Sequence, residues 1–386
     1  MSKRKDRKGE KRRVQFRKNR EKKTRRNDLT RDALKAADNE AGVDDLAAEE
    51  RLSGKGDLTR HRTVIGVVED ENGHLIREID ESQCLDGRVI TAVGLNSIVQ
   101  SDDGTQYECT VRRVVRTISR DARNAVTTGD RVKFQPTGQT LPSGMEQGVI
   151  ERVEPRHGVL SRESGNREHV IIANIDTAVI VASAADPPLK PNLIDRFLVS
   201  AEKGGVSAII CINKADLADP VELQPTVGLY ASLGYDVVLT SAETGMGVSR
   251  LQGLLAGKQS VFTGQSGVGK SSLLNRVEPS WELQTGAVSG WSQKGTHTTR
   301  RATLLELKSG GWVADTPGIR QFDLWDVAKE EVEAYFIEFR PFVTRCHFPD
   351  CTHTHENRCG IKLGVQEQLI SSSRYESYLR IFQGDD

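Results

Sequence analysis

Four short polar segments each follow an apolar run in this chain, and their order restricts the fold more than any other feature. Asn213-Lys214-Ala215-Asp216 and Ser241-Ala242-Glu243 come first, then Gly264-Gln265-Ser266-Gly267-Val268-Gly269-Lys270-Ser271, and last Asp315-Thr316-Pro317-Gly318. The third segment matches GxxxxGK[ST], follows the apolar residues 260–262 and opens onto a helical stretch with Leu273 and Leu274. That strand, loop and helix context is the one a phosphate-binding P-loop requires. From Gly264 to Ser272, glycines and the helix N-terminus turn backbone N–H groups toward phosphate oxygens. Lys270 reaches the β and γ phosphates, and Ser271 offers its hydroxyl to Mg2+.

The base is read elsewhere. Asn213-Lys214-Ala215-Asp216 ends the apolar run 206–212, at the carboxyl end of a strand, where α/β sheets bind ligands. Guanine presents N1–H and N2–H on one edge, both of which the Asp216 carboxylate can accept, and O6 and N7 on the other, which suits the Asn213 amide. The Lys214 stem covers the ring, and a backbone N–H of Ser241 or Ala242 reaches O6. Adenine would leave Asp216 facing the wrong groups, so GTP and GDP are the expected nucleotides. Asp315 holds Mg2+ through water, and the Gly318 N–H senses the γ-phosphate. Between them, Lys294-Gly295-Thr296-His297-Thr298-Thr299-Arg300 reads as the segment that orders around metal and γ-phosphate. Spacing does not choose among Thr296, Thr298 and Thr299; Thr298 is the preferred ligand.

In ordinary P-loop GTPases the P-loop leads and the base-reading motifs close the domain; here the last two have moved to the front. A permutation of this kind preserves a fold when the old termini lie close together at the surface.

The rest of the chain divides by composition. Residues 1–26 hold 15 Lys and Arg against 3 acids, leaving 39 against 51 for the remainder of a chain whose net charge is zero. Residues 1–60 are charged and poor in apolar periodicity, which predicts a disordered extension, with a transient helix near residues 29–37. Residues 61–157 carry short alternating runs (63–68, 88–93, 107–115, 131–135) between Gly and Asp turns, the pattern of a small β-barrel. Residues 158–327 alternate apolar runs with helical stretches at 193–203 and 248–256, predicting an α/β domain with a largely parallel sheet. Residues 328–386 turn mainly helical, around 329–336 and 366–382. No stretch approaches the roughly 20 apolar residues that span a bilayer, and the Arg-rich start is interrupted by Asp6, Glu10 and Glu21, unlike a transit peptide. No membrane partner, a cytoplasmic location and a monomer are expected.

Of six cysteines, Cys84, Cys109 and Cys211 are scattered as expected buried thiols, whereas Cys346, Cys351 and Cys359 cluster around His353. Three thiolates and an imidazole close a tetrahedral shell and leave no position for water, so a structural Zn2+ is expected. His347 and His355 are the neighbouring alternatives to His353.

Permuted motif order, a preceding barrel and the spacing CxxxxCxHxxxxxC together resemble the RsgA (YjeQ) family of small-ribosomal-subunit-dependent GTPases over nearly all of residues 61–386. Thr128-Gly129-Asp130-Arg131-Val132, Gly264 to Ser272 and His297-Thr298-Thr299 are among the matching stretches. The resemblance implies an OB-fold barrel, a permuted GTPase domain and a zinc domain. Together these bind the 30S subunit and its 16S rRNA late in maturation, with GTP hydrolysis accompanying release. This chain departs from the family's HTTT run at Arg300, and its long basic tail lies outside the shared core.

After Asp315-Thr316-Pro317-Gly318 stands Ile319, which cannot orient water as the Gln of Ras-like enzymes does. His297 is the candidate to replace it, with Lys270 as the second catalytic residue, and the resemblance points to His297 too. Arg112, Arg113, Arg116, Arg120 and Arg123, with Tyr107 nearby, are the candidate RNA-facing groups of the barrel, and the tail is expected to bind phosphate with steep salt dependence. The alternative function is a GTP-dependent metal-delivery or client-protein factor on the same fold; a non-hydrolysing RNA-binding scaffold is a third.

Overall fold

The computed structural model describes residues 11–15, 61–65, 67–69, 75–94, 96–118, 125–163, 168–283, 302–315 and 327–384. Five strands close a barrel: β1 (Leu85–Val93), β2 (Asn96–Ser101), β3 (Gln106–Val111), β4 (Arg131–Thr140) and β5 (Glu146–Val153), in the order β1-β2-β3-β5-β4. Inward positions alternate with outward ones, and Val89, Val99, Tyr107, Cys109, Val132, Phe134 and Ile150 fill the interior.

Tyr107 is buried with its ring 4.9 Å from that of Phe134, so it offers no stacking surface to a base. The expected strand 107–115 ends at Val111, and helix α1 (Arg113–Ile118) follows, burying Val114 and Val115. Arg113 and Arg116 are exposed on this helix, while Arg112 donates to the buried Glu151 at 2.8 Å. Arg120 and Arg123 lie outside the described residues. The run 63–68 splits around Gly66: His61–Ile65 pairs antiparallel with Lys11–Gln15, and Val67–Glu69 pairs with Leu75–Arg77, outside the closed barrel. Lys11–Gln15 is therefore a strand within the stretch expected to be disordered; residues 29–37 lie outside the described residues.

A hairpin of β6 (Leu160–Glu163) and β7 (Glu168–Ile172) leads into the six-stranded sheet. Its elements follow as β8 (Thr177–Ser183), α2 (Pro191–Lys203), β9 (Ser207–Asn213), α3 (Pro220–Ser232), β10 (Asp236–Leu239), α4 (Val248–Leu255), β11 (Gln259–Thr263), α5 (Lys270–Val277), β12 (Thr303–Glu306) and β13 (Trp312–Asp315). The spatial order is β10-β9-β8-β11-β13-β12, parallel except for β12. Central strands such as β8 and β9 are buried on both faces, which is why they read as unbroken apolar runs. Helix α3 had no expected counterpart: it buries only Leu223 and Tyr230 and contains Pro225, so its apolar stripe is faint. Its start is conventional, with Asp219 accepting from Val221 N and Pro220 in the first turn.

The permutation has a visible joint. Helix α4 passes into β11 through residues 256–258 alone, with Gly257 N donating to Gly310 O at 3.0 Å. A surface link of this length joins the two elements that are the ends of an unpermuted domain.

After the sheet, turns at Lys329–Tyr335 and Ile337–Phe339 precede α6 (Arg340–Val343), α7 (Gly360–Gln366) and α8 (Ser372–Gln383). The helix expected over 366–382 begins only at Ser372, because α7 ends at Gln366 and Gln368 takes φ +60° between them. Val332, Phe336, Phe339, Ile361, Tyr378 and Ile381 pack together and against Val199 of α2. Across this contact Arg374 of α8, fully buried, donates to Glu338 at 2.6 and 3.0 Å and to Asp195 of α2 at 2.7 Å. Asp195 also accepts from Tyr230 Oη at 2.7 Å.

Candidate functional site

Loops at the carboxyl ends of β9, β10 and β11 meet at one end of the sheet, where β13 also ends at Asp315. The P-loop leaves β11, and Gly264, Gly267 and Gly269 all take positive φ. Gly269 caps α5 at φ +89°, and a Cβ there would lie 2.5 Å from Asn213 Nδ2, so both conformation and space call for glycine. Gly264 and Val268 are buried, Gln265 is half-buried, and Ser266 and Gly267 are exposed. Lys270, Ser271 and Ser272 are half-buried in the first turn of α5. Lys270 Nζ donates to the carbonyls of Gly264 and Gln265, both at 2.7 Å, which holds the ammonium across the loop.

Asn213 is the fastener of this end of the sheet. It is buried, its Nδ2 donates to Val268 O at 2.8 Å, and its Oδ1 accepts from Ala242 N and Thr240 Oγ1, each at 3.2 Å. One amide therefore joins the P-loop to the Ser241-Ala242 loop. Lys214 adopts a left-handed conformation (φ 59°, ψ 31°), and its ammonium donates to the Asp186 carbonyl. Ala215 is buried, with its N–H on Thr240 O at 3.0 Å, and Asp216 is exposed at the mouth of the loop. Ser241 is buried, and its hydroxyl accepts from Thr244 N at 3.0 Å.

Asp315 ends β13 opposite Thr303 of β12. Gly318, His297 and Thr298, with Thr296, Thr299, Arg300 and Ile319, lie outside the described residues. The structure adds three groups that the motifs did not name. Thr240 ties Asn213, the Asp186 carbonyl holds Lys214, and Arg276 donates to Ala242 O and Glu243 O at 2.7 and 2.6 Å. Arg276 stands in the last turn of α5, a position that no local pattern marks.

The second site lies in the C-terminal region. Ligand atoms of Cys346, Cys351, His353 and Cys359 lie within 4.8 Å of one another, and His353, Cys351 and Cys359 are buried. His353 Nδ1 faces the sulfurs, 3.5 Å from Cys346 and 3.3 Å from Cys359, while Nε2 contacts Glu333 Oε2 at 2.7 Å. A carboxylate on the far nitrogen fixes the tautomer that leaves Nδ1 free to ligate. Backbone N–H groups of Gly360 and Lys362 point at Cys346 and Cys359 sulfurs (3.2 and 3.5 Å). Burial pushes the Cys351 thiol up to about 12, so a thiolate there needs a cation beside it. The donor set fits Zn2+: three sulfurs and one nitrogen, with Cys346 half-buried and the other three ligands buried. His347 and His355 are exposed and outside the cluster.

Comparison with known proteins agrees with this architecture. The family model described as RsgA GTPase matches residues 153–325. A small ribosomal subunit biogenesis GTPase RsgA from Chlorobaculum parvum is 39% identical over 313 residues, covering 79% of this chain and 99% of the relative. The chain belongs to the RsgA family. A relative of the same description from Yersinia pseudotuberculosis is 39% identical over 315 residues, covering 79% of this chain and 87% of its own length. Among solved structures, YjeQ from Thermotoga maritima superposes with a TM-score of 0.62 at 34% identity, covering 78% of this chain and 98% of its own. YloQ, described as a circularly permuted GTPase, gives 0.59 at 29% identity, covering 80% and 97%. The matched relatives cover 79% of this chain, more than the residues 153–325 of the family model. Among the described residues no helix is long and apolar enough to cross a membrane.

Proposed function

We propose that this protein is a GTPase that acts in biogenesis of the small ribosomal subunit. The observation that carries the reading is the Asn213 amide, which binds P-loop and Ser241-Ala242 loop into one rigid recess at the carboxyl ends of the strands. Asp216, exposed at its mouth, accepts the two guanine donors, and the second hydrogen of Asn213 Nδ2 serves a base acceptor. The Lys214 stem covers the base. Backbone N–H groups of residues 264–272 and the start of α5 take the phosphates, and Lys270 exchanges the carbonyls of Gly264 and Gln265 for β and γ oxygens. Ser271 and Thr298 would hold Mg2+ directly and Asp315 would hold it through water, and the ion would supply neutralisation of phosphate charge. His297 orients the attacking water, a task for which Ile319 has no hydrogen-bonding group.

Zn2+ on Cys346, Cys351, His353 and Cys359 is structural in this reading: it fastens the turns against which Phe339 and Tyr378 pack. The partner is the 30S subunit through its 16S rRNA, contacted by the barrel and, through Arg113 and Arg116, by α1, with the basic tail adding phosphate contacts. The protein acts as a cytoplasmic monomer. Depleting it in its host and resolving ribosomal particles on sucrose gradients tests the role: small-subunit precursors accumulate at the expense of complete ribosomes. An unaltered particle profile contradicts it.

A further inference from the structure

Thr127, Thr128 and Asp130 are buried polar residues between barrel and sheet, and none belongs to the nucleotide or metal site. Asp130 is 0% exposed; it accepts from Thr127 N at 2.8 Å and from Arg156 through both carboxylate oxygens, at 2.7 and 2.8 Å. The turn so stiffened is tied on three sides. Toward the barrel, Gly129 N donates to Val89 O at 2.8 Å and Val89 N to Asp130 O at 2.9 Å. Toward the strand leading into the sheet, Ala173 N donates to Thr128 O and Asn174 Nδ2 to Gly129 O, both at 3.0 Å. Gly129 (φ +90°) makes this approach feasible, because any Cβ would overlap the Ala173 carbonyl.

The third tie is the informative one. Thr128 Oγ1 donates to the Ala302 carbonyl at 3.0 Å, and Thr91 Oγ1 of β1 donates to the same oxygen at 3.3 Å. A carbonyl oxygen has two lone pairs, and two hydroxyls from the barrel can occupy both. Ala302 immediately precedes Thr303, whose partner across β12 and β13 is Asp315, and it stands five positions after His297. The barrel therefore grips the backbone where the threonine-rich segment enters the sheet, at its nucleotide end. Holding the barrel on the sheet edge does not need this convergence. Arg88 already contacts Gln259 and lies over the Trp312 ring at 5.8 Å, and Gln100 donates to Glu306 at 3.3 Å.

We propose that Thr128 and Thr91 are positioning residues for the 30S stimulation of GTP hydrolysis and not for the basal reaction: by fixing the Ala302 carbonyl they make the seating of the barrel on the small subunit felt at the residues that hydrolyse GTP. This rests on the small-subunit reading above. The test uses the full chain with Thr91→Val and Thr128→Val together, changes that remove the hydroxyls and keep the shape. Basal turnover, GDP affinity and 30S affinity stay within about twofold of wild type, while 30S-stimulated kcat falls roughly tenfold, the loss expected when two partly buried hydrogen bonds no longer act. Thr128→Ser in place of Thr128→Val, which returns the hydroxyl, recovers most of the stimulation. If the double variant does not fold, Thr128→Val alone carries the same comparison of kcat with 30S affinity. Undiminished stimulated kcat overturns the proposal. So does a loss that excess 30S subunits restore, because the hydroxyls then act only as glue between domains. A wild-type protein indifferent to 30S subunits removes the functional reading itself, which is a different result from a stimulated wild type beside an equally stimulated variant.

Discussion

Replacing Arg374 with methionine keeps the apolar stem and removes a guanidinium that holds two domains together. In the folded chain this group donates twice to Glu338 and once to Asp195, and it lies 4.4 Å over the Phe336 ring. Arg374 and Asp195 side chains are each 1% exposed and Glu338 is 7% exposed, so water cannot replace the lost partner. Breaking a buried pair from one side costs about 3–5 kcal/mol. For a unit of this size that corresponds to a fall in Tm of roughly 6–20 °C. The pH dependence has a definite sign. Burial raises the Asp195 carboxyl above its ordinary value, while Arg374 and Tyr230 pull it down. Without Arg374 it rises further, so the folded variant binds a proton more tightly than the unfolded chain does. Stability is then lost as pH rises through the folded value and regained below it. Differential scanning fluorimetry between pH 5 and 8 reads both effects. A variant within about 2 °C of wild type across that range refutes the argument that this cluster fastens α8 to α2.

Asp216→Asn exchanges an acceptor for a donor. GTP affinity falls by roughly 100-fold, the loss of two charge-assisted hydrogen bonds. Xanthosine triphosphate, with a carbonyl where guanine has its amine, becomes the better ligand, which competition with a fluorescent nucleotide checks; retained GTP preference removes Asp216 from the base site. His297→Ala keeps GTP affinity and lowers 30S-stimulated turnover by about 100-fold, whereas unchanged stimulated turnover assigns the water to another group. Cys359→Ser reduces metal content by mass spectrometry from about one zinc per chain and lowers Tm, with GDP affinity retained; full zinc content in that variant excludes Cys359 as a ligand.

Much of the α/β domain is legible in the amino-acid sequence, because each motif ends a continuous apolar run and β8 and β9 are buried on both faces. The metal cluster is legible because its ligands lie close together in the chain. What escapes has physical reasons. Helix α3 buries two side chains and contains a proline, so its period is weak. Val114 and Val115 extend the apparent alternation of β3 although they are buried from a helix. Lys11–Gln15 is basic enough to read as tail, and its partner strand, His61–Ile65, lies far along the chain. Arg374 finds Asp195 at a separation of 179 residues, and Thr128 finds Ala302 at 174. Contacts of that range leave no local pattern, so the groups that join the domains emerge only from the fold.

If the permuted nucleotide site serves the small ribosomal subunit, GTP turnover measured with and without purified 30S subunits responds to them. Turnover is then slow for the protein alone and faster with 30S subunits, saturating as the subunit is titrated. Turnover indifferent to ribosomal subunits would favour a metal-delivery or client-protein factor instead, and no turnover under either condition would leave a non-hydrolysing RNA-binding scaffold.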